Sequence, residues 1–290
     1  MNSKKGIIFI LLSSFLFASY GVWSRLMGNY FGNFFQGWTR GIIICLILIP
    51  ILLWKKEIIP IKRRDWKRMA VFLIFTSLTQ APIYYAFNHM DIGTASVLFF
   101  VTVLLTMYMF GLVFLKEKIT TAKIIAFVMA VIGLFITYSF SLVVFSFLAA
   151  SLAVLNGIAS GGEVASTKKL SQTYSPLYLT FLSWLIIIVT NAPISILLGE
   201  IQRLPEFNLP WLFQLCYVFA NFFAFWFVVE GLKHVESSIG GLLGLLEVVF
   251  SILFGIIIFQ ETLTLKIIIG AMLVLTAAAL PHLVEFRKRA

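Results

Sequence analysis

The stretch LLGLLEVVFSILFG, Leu242 to Gly255, decides the fold. Its leucines, valines, isoleucine and phenylalanines suit the apolar core of a bilayer, yet Glu247 stands at its centre. A carboxylate at mid-depth costs about 2.5–3.5 kcal/mol to insert. Helical spacing resolves the conflict. Gly240, Gly244, Glu247, Ser251 and Gly255 fall at offsets 0, 4, 7, 11 and 15, a narrow stripe of small or polar residues on an otherwise apolar helix. Small residues let helices approach closely. The stripe is therefore expected to face protein, and Glu247 to meet either a partner or a water-filled cavity.

The rest of the chain is of the same kind. Its 290 residues are 61% hydrophobic and 12% charged, against about 25% charged in soluble domains. Ten apolar stretches occur, near 6–26, 34–54, 69–88, 95–115, 121–138, 143–165, 177–198, 211–230, 238–258 and 266–284. A span needs about 20 apolar residues, and a helix satisfies its own backbone polar groups in lipid. The expected fold is all-α and integral to the membrane, with ten transmembrane helices. MNSKK followed by GIIFILLSSFLFAS has the form of a signal peptide, but the apolar run continues through Gly21, Val22 and Trp23, so it reads as an uncleaved first span. Pro50, Pro82 and Pro193 predict local kinks. Cys45 and Cys216 lie in apolar runs and read as core residues. No metal site and no cofactor are expected.

A net charge of +10 would suit nucleic acid if the basic residues formed one patch. They lie between the spans instead. With the N-terminus inside, the inner segments hold 18 of the 22 Lys and Arg, seven of them in KKEIIPIKRRDWKR (55–68). Arg25, Arg203 and Lys266 lie outside, and Arg40 lies within a span. The opposite orientation inverts this bias, against the positive-inside rule. The basic balance thus predicts a multi-pass protein of the cytoplasmic membrane with both termini cytoplasmic, and no nucleic-acid partner.

The chain also repeats. A shift of 144 residues sets Phe110 on Phe254, Gly111 on Gly255, Glu117 on Glu261, Thr120 on Thr264, Arg25 on Lys169 and Leu26 on Leu170. The halves 1–140 and 141–290 each hold five spans. Five is odd, so the second half crosses the membrane in the opposite sense. Charge agrees: GEIQRLPEFNLP (199–210), the equivalent of the seven-fold basic loop, has one basic and two acidic residues. Inverted repeats are a transporter architecture with a midplane site between the halves.

With this layout, four stretches carry a resemblance: FLFASYGVWSRL (15–26), WTRGIIICLIL (38–48), YYAFNHMDIGTASVL (84–98), and the paired LKEKIT and FQETLT at 115–120 and 259–264. Together they resemble the drug/metabolite transporter superfamily in its ten-helix EamA-type branch, over nearly the whole chain. The resemblance implies a secondary transporter with a central cavity opened alternately to each side, and says little about substrate. NHMDIGT (88–94) departs from the family's small apolar residues, leaving His89 and Asp91 without a family role.

Spacing nominates further residues. Ser77, Gln80, Tyr84 and Asn88 share one face of span 3; Asn156, Ser160, Glu163 and Thr167 share one of span 6; Phe219, Phe223, Trp226 and Glu230 share one of span 8. Arg40, in the outer part of span 2, is placed to meet Glu247 across the bundle. Such a pair either fixes packing, or Glu247 serves proton coupling or cation binding. The candidate substrate or proton site is Glu247, Arg40, Glu163, Gln80, Tyr84, Asn88, Trp226 and Asn156. Glu117 and Glu261 read as structural caps, each near the N-terminus of the following helix.

The resulting expectation is a secondary active exporter of a small organic solute, a drug, metabolite or amino-acid-like molecule, with possible proton coupling. The partners are that solute, lipid and protons; a homodimer is left open. A membrane-embedded enzyme is the rival class, but H-E-x-x-H, P-loop and G-x-S-x-G motifs are missing, and short loops leave no soluble catalytic domain. A channel is the third.

Overall fold

The computed structural model describes residues 3–79, 81–90, 92–138 and 146–287. Among them the regular structure is helical. The elements are α1 (Ser3–Ala18), α2 (Tyr20–Met27), α3 (Asn33–Trp54), α4 (Trp66–Ser77), α5 (Ala81–His89), α6 (Ile92–Val113), α7 (Thr121–Tyr138), α8 (Phe147–Leu170), α9 (Pro176–Leu197), α10 (Leu209–Leu232), α11 (Ser237–Gly244), α12 (Leu246–Phe259) and α13 (Leu265–Arg287).

Among the described residues, eight helical segments are long and apolar enough to cross a membrane, the joined pairs α1–α2 and α11–α12 each counting once. The two remaining expected spans are of another form. Span 3 is interrupted between α4 and α5, and in α13 the apolar run is the shorter Leu265–Pro281. One of the three prolines that predicted kinks coincides with a break: α4 ends at Ser77, shortly before Pro82. Pro50 and Pro193 sit inside continuous helices, and Pro82 opens α5, where its missing N–H costs nothing. Ser146, Ser175 and Asn208 start α8, α9 and α10 by accepting from the N–H groups of Ala149, Tyr178 and Trp211.

The helices pair in a regular pattern. The most extensive contacts join α7 to α13, α6 to α8, α3 to α9 and α1 to α10, with α8 also lying along α4 and α5, and α1 along α11 and α12. Exchanging the two halves maps this pattern onto itself.

The repeat extends to backbone geometry. Lys116 and Gln260, 144 apart, have φ of 56° and 55°. The next residue, Glu117 or Glu261, donates its N–H to the carbonyl of Gly111 or Gly255, at 2.8 and 3.1 Å. A side chain at either glycine would run into that glutamate's Oε2. Lys56 and Gly199 also have positive φ, 53° and 67°, and Glu57 and Glu200 donate to Leu52 O and Ser195 O, both at 3.0 Å. This second pair lies 143 apart, as do Pro50 and Pro193, so the register slips by one residue between the two caps.

Candidate functional site

A cavity of about 600 Å³ lies between the halves. Gly240, Gly244, Glu247 and Ser251 line it, so the stripe that opened the sequence reading faces an open space. Asn156, Ser160 and Glu163 of α8 line it too. Of its lining, Gly21 and Ser24 are exposed, while Met107, Gly240 and Gly241 are buried. Phe17, Tyr20, Phe99, Phe100 and Phe225 supply much of the wall.

Glu163 is 7% exposed. Its Oε1 lies 2.9 Å from Thr76 Oγ1 and 2.8 Å from Ser183 Oγ, hydroxyls on α4 and α9 that fix the carboxylate across three helices. Glu247, in the first turn of α12 just past the break at Leu245, is half-buried and has no hydrogen-bond or ion-pair partner among the described residues.

Other expected residues fall elsewhere. Arg40 is 1% exposed but does not line the cavity. Its Nη1 donates to Gln36 Oε1 at 2.9 Å, and its guanidinium lies 4.1 Å from the ring centroid of Tyr217, which is a wall residue. The expected meeting with Glu247 is absent among the described residues: Arg40 sits one layer behind the wall. Trp226 stacks against Phe222 and Phe227 away from the cavity. The α10 lining is Tyr217, Asn221, Phe225 and Val228, displaced from the expected face by two residues, roughly 200° around the helix. In span 3 the described lining residues are Thr79, Ile83 and Phe87. Gln80 lies outside the described residues, as do the side chains of Tyr84 and Asn88.

Beside Met107 stands a feature that local reasoning misplaced. Glu117 was expected to cap its own following helix, α7. Instead it reaches α11. Its Oε1 accepts from Ser237 N at 2.6 Å and Lys168 Nζ at 2.9 Å, and its Oε2 from Ser238 N at 3.2 Å and Ser238 Oγ at 3.1 Å. Burial alone would raise this carboxyl, but the Ser237 N–H, Lys168 and the Ser238 N–H outweigh it and hold it below the usual 4.5. Ser237 Oγ donates to Met107 O at 3.2 Å, tying the cap to the cavity floor. Glu261, the repeat equivalent, is half-exposed and pairs with Arg25, which lies over the Phe259 ring. No spacing signal could have linked Glu117 to a helix 120 residues away.

With this geometry established, comparison with known proteins is informative. The EamA-like transporter family matches residues 4–139 and again 147–281, so two copies of one membrane-embedded unit account for nearly the whole chain. A solved crystal structure aligns with a TM-score of 0.78 over 96% of this chain and 98% of its own, at 14% identity, a likeness of fold. Comparison with curated proteins finds no match. The chain is a multi-pass membrane protein that belongs to the EamA-like transporter family.

Proposed function

We propose that this protein is a secondary active transporter that exports a small organic solute across the cytoplasmic membrane by alternating access. The observation that carries the reading is a cavity between the two repeats whose lining runs from exposed Gly21 and Ser24 to buried Met107, which is tied to the Glu117 cap. A channel needs both ends open together; a carrier needs one closed. Ten spans in two inverted five-helix repeats, with both termini cytoplasmic, agree with the distribution of Lys and Arg and with helix contacts that survive exchange of the halves. In that topology the cavity opens outward and Glu117 closes the inner side.

Glu247 is the proton-coupling group in this scheme. An unpartnered carboxylate in a low-dielectric wall gains most from neutralisation, and the cavity supplies water to carry the proton. Proteoliposomes holding the full chain, tested with radiolabelled amines, amino acids and sugars under an imposed pH gradient, check both parts. Saturable flux of at least one solute, lost in Glu247→Gln, is expected. Flux that never saturates refutes the carrier reading. Gradient-driven flux that persists in Glu247→Gln refutes coupling through this residue.

A further inference from the structure

The polar lining of the cavity mixes hydroxyls with amides and carboxyls, and its charged side chains among the described residues are both acidic. Asn156 and Asn221 are 1% and 2% exposed, and both line it. Each places one of its two amide N–H bonds on a backbone carbonyl: Asn156 Nδ2 on Leu78 O at 3.1 Å, Asn221 Nδ2 on Tyr217 O at 2.8 Å. A carbonyl can only accept, so these contacts fix the side-chain orientation. Each Oδ1 is left on the cavity side, with no donor among the described residues.

Glu163 repeats the pattern. Oε1 is held by two hydroxyls, while Oε2 has no protein donor and is not sealed from the cavity. Glu247 adds a second free carboxylate. The hydroxyl protons of Ser13, Thr79 and Ser183 are already committed, to Ala224 O, Thr76 O and Glu163. Ser14 donates to Ile10 O or Leu243 O. The Trp184 indole N–H is buried within the wall. Among the described residues, no Lys, Arg or His lines the space.

Charge points the same way. Two carboxylates stand against one guanidinium, Arg40, which lies behind Tyr217 and has no ion-pair partner among the described residues. A carboxyl without a counter-charge is costly to hold ionised when buried, and either a proton or a cationic ligand removes that cost. A lining whose charged groups, among the described residues, are both carboxyls, with two amide oxygens that lack donors, suits a ligand that brings N–H donors and one positive charge. The volume admits a drug-sized body, and the aromatic wall suits both an apolar skeleton and a cation.

We infer that the cavity binds a monocationic amine, a protonated ammonium on an apolar or aromatic body, with the ammonium seated among Glu163, Glu247, Asn156 and Asn221. This rests on the cavity being the solute's seat in the proposed function.

Binding to the detergent-purified full chain tests it without any need for transport. The probes share one skeleton: 4-phenylbutylammonium, its N,N,N-trimethyl derivative, 4-phenylbutanol and 4-phenylbutanoate, titrated by calorimetry at neutral pH. The primary ammonium binds at least tenfold more tightly than the alcohol, and the carboxylate does not compete. The trimethyl form keeps the charge but loses its N–H donors, and binds at least fivefold more weakly than the primary ammonium. Glu163→Gln weakens the ammonium at least tenfold and leaves the alcohol unchanged. The unmodified protein alone overturns the inference if the ammonium fails to bind, if alcohol or carboxylate matches it, or if the trimethyl form binds as well. Ammonium binding without flux in proteoliposomes refutes the transport reading and leaves the site standing.

Discussion

Glu117 is the most exacting test of how the cavity is closed. Replacing it by Gln keeps the shape and turns one acceptor oxygen into an NH2 donor. Two donors face each oxygen: Lys168 Nζ and Ser237 N on Oε1, and Ser238 N and Oγ on Oε2. Whichever oxygen is lost, two donors lose their acceptor, and Lys168 loses its counter-charge. Breaking a buried pair from one side costs about 3–5 kcal/mol. Lys168 keeps 16% side-chain exposure and recovers some hydration, so the lower end applies, about 3 kcal/mol. That is roughly a hundredfold shift from closed to open at this end. Met107, 3% exposed on the cavity floor, reports it. In a background lacking Cys45 and Cys216, Met107→Cys is labelled with an impermeant maleimide applied from the Glu117 side. The rate should rise at least tenfold in Glu117→Gln, with the gel-filtration profile unchanged. Rates within twofold, in Glu117→Gln and also in Lys168→Met, would mean that the cap does not hold the cavity shut.

Other consequences can be measured directly. Because Glu117 titrates below its usual 4.5 in the folded chain, its contribution is complete above that value and is lost as pH falls through the lowered one. Deuterium exchange at the Ser237 and Ser238 amides, corrected for intrinsic rate, should stay slow down to about pH 4.5 and accelerate below it; acceleration on raising the pH instead refutes the assignment. Gly161→Ala places a methyl 2.6 Å from Val103 O and pushes α8 off α6; thermal unfolding in detergent should register a loss of about 1–3 kcal/mol, and an unchanged melting temperature contradicts the contact. Tyr217→Leu removes the ring over Arg40 and should cost about 2 kcal/mol, as expected of a desolvated cation–π pair. The same melting assay reads it, and a change under 0.5 kcal/mol argues against the stacking.

What was legible in the sequence followed the regularity of the helices. The α12 and α8 stripes lie on the cavity because a 3.6-residue period holds through both, with a break of only one residue at Leu245. In span 3, Gln80 and the side chains of Tyr84 and Asn88 lie outside the described residues, and α4 ends at Ser77, so a period carried from Ser77 into α5 crosses a break. In α10 the aromatics mislead, since Phe and Trp line the cavity, pack between helices and face lipid alike. Asn221, a polar residue in an aromatic run, was the available signal. The absence of an Arg40–Glu247 pair belongs to tertiary packing. Depth in the membrane can be read from a sequence, but the angular position of one helix about another cannot.

The two caps carry the argument one step further. Lys116–Glu117 and Gln260–Glu261 have the same backbone geometry, yet one carboxylate is enclosed by α11 while the other is half-exposed against Arg25. The 144-residue shift places Gly93 and Thr94, in the first turn of α6, where Ser237 and Ser238 stand in the other half. If the halves exchange roles in transport, Glu261 closes on the start of α6 when Glu117 releases α11. Glu261→Gln then leaves the present state intact and weakens only the opposite one. Met107→Cys labelling from the Glu117 side should therefore fall or stay low in Glu261→Gln, while transport slows at least fivefold. A variant that transports at the normal rate would show that the second glutamate is an inert remnant of the duplication, and that closure at the two ends rests on different chemistry.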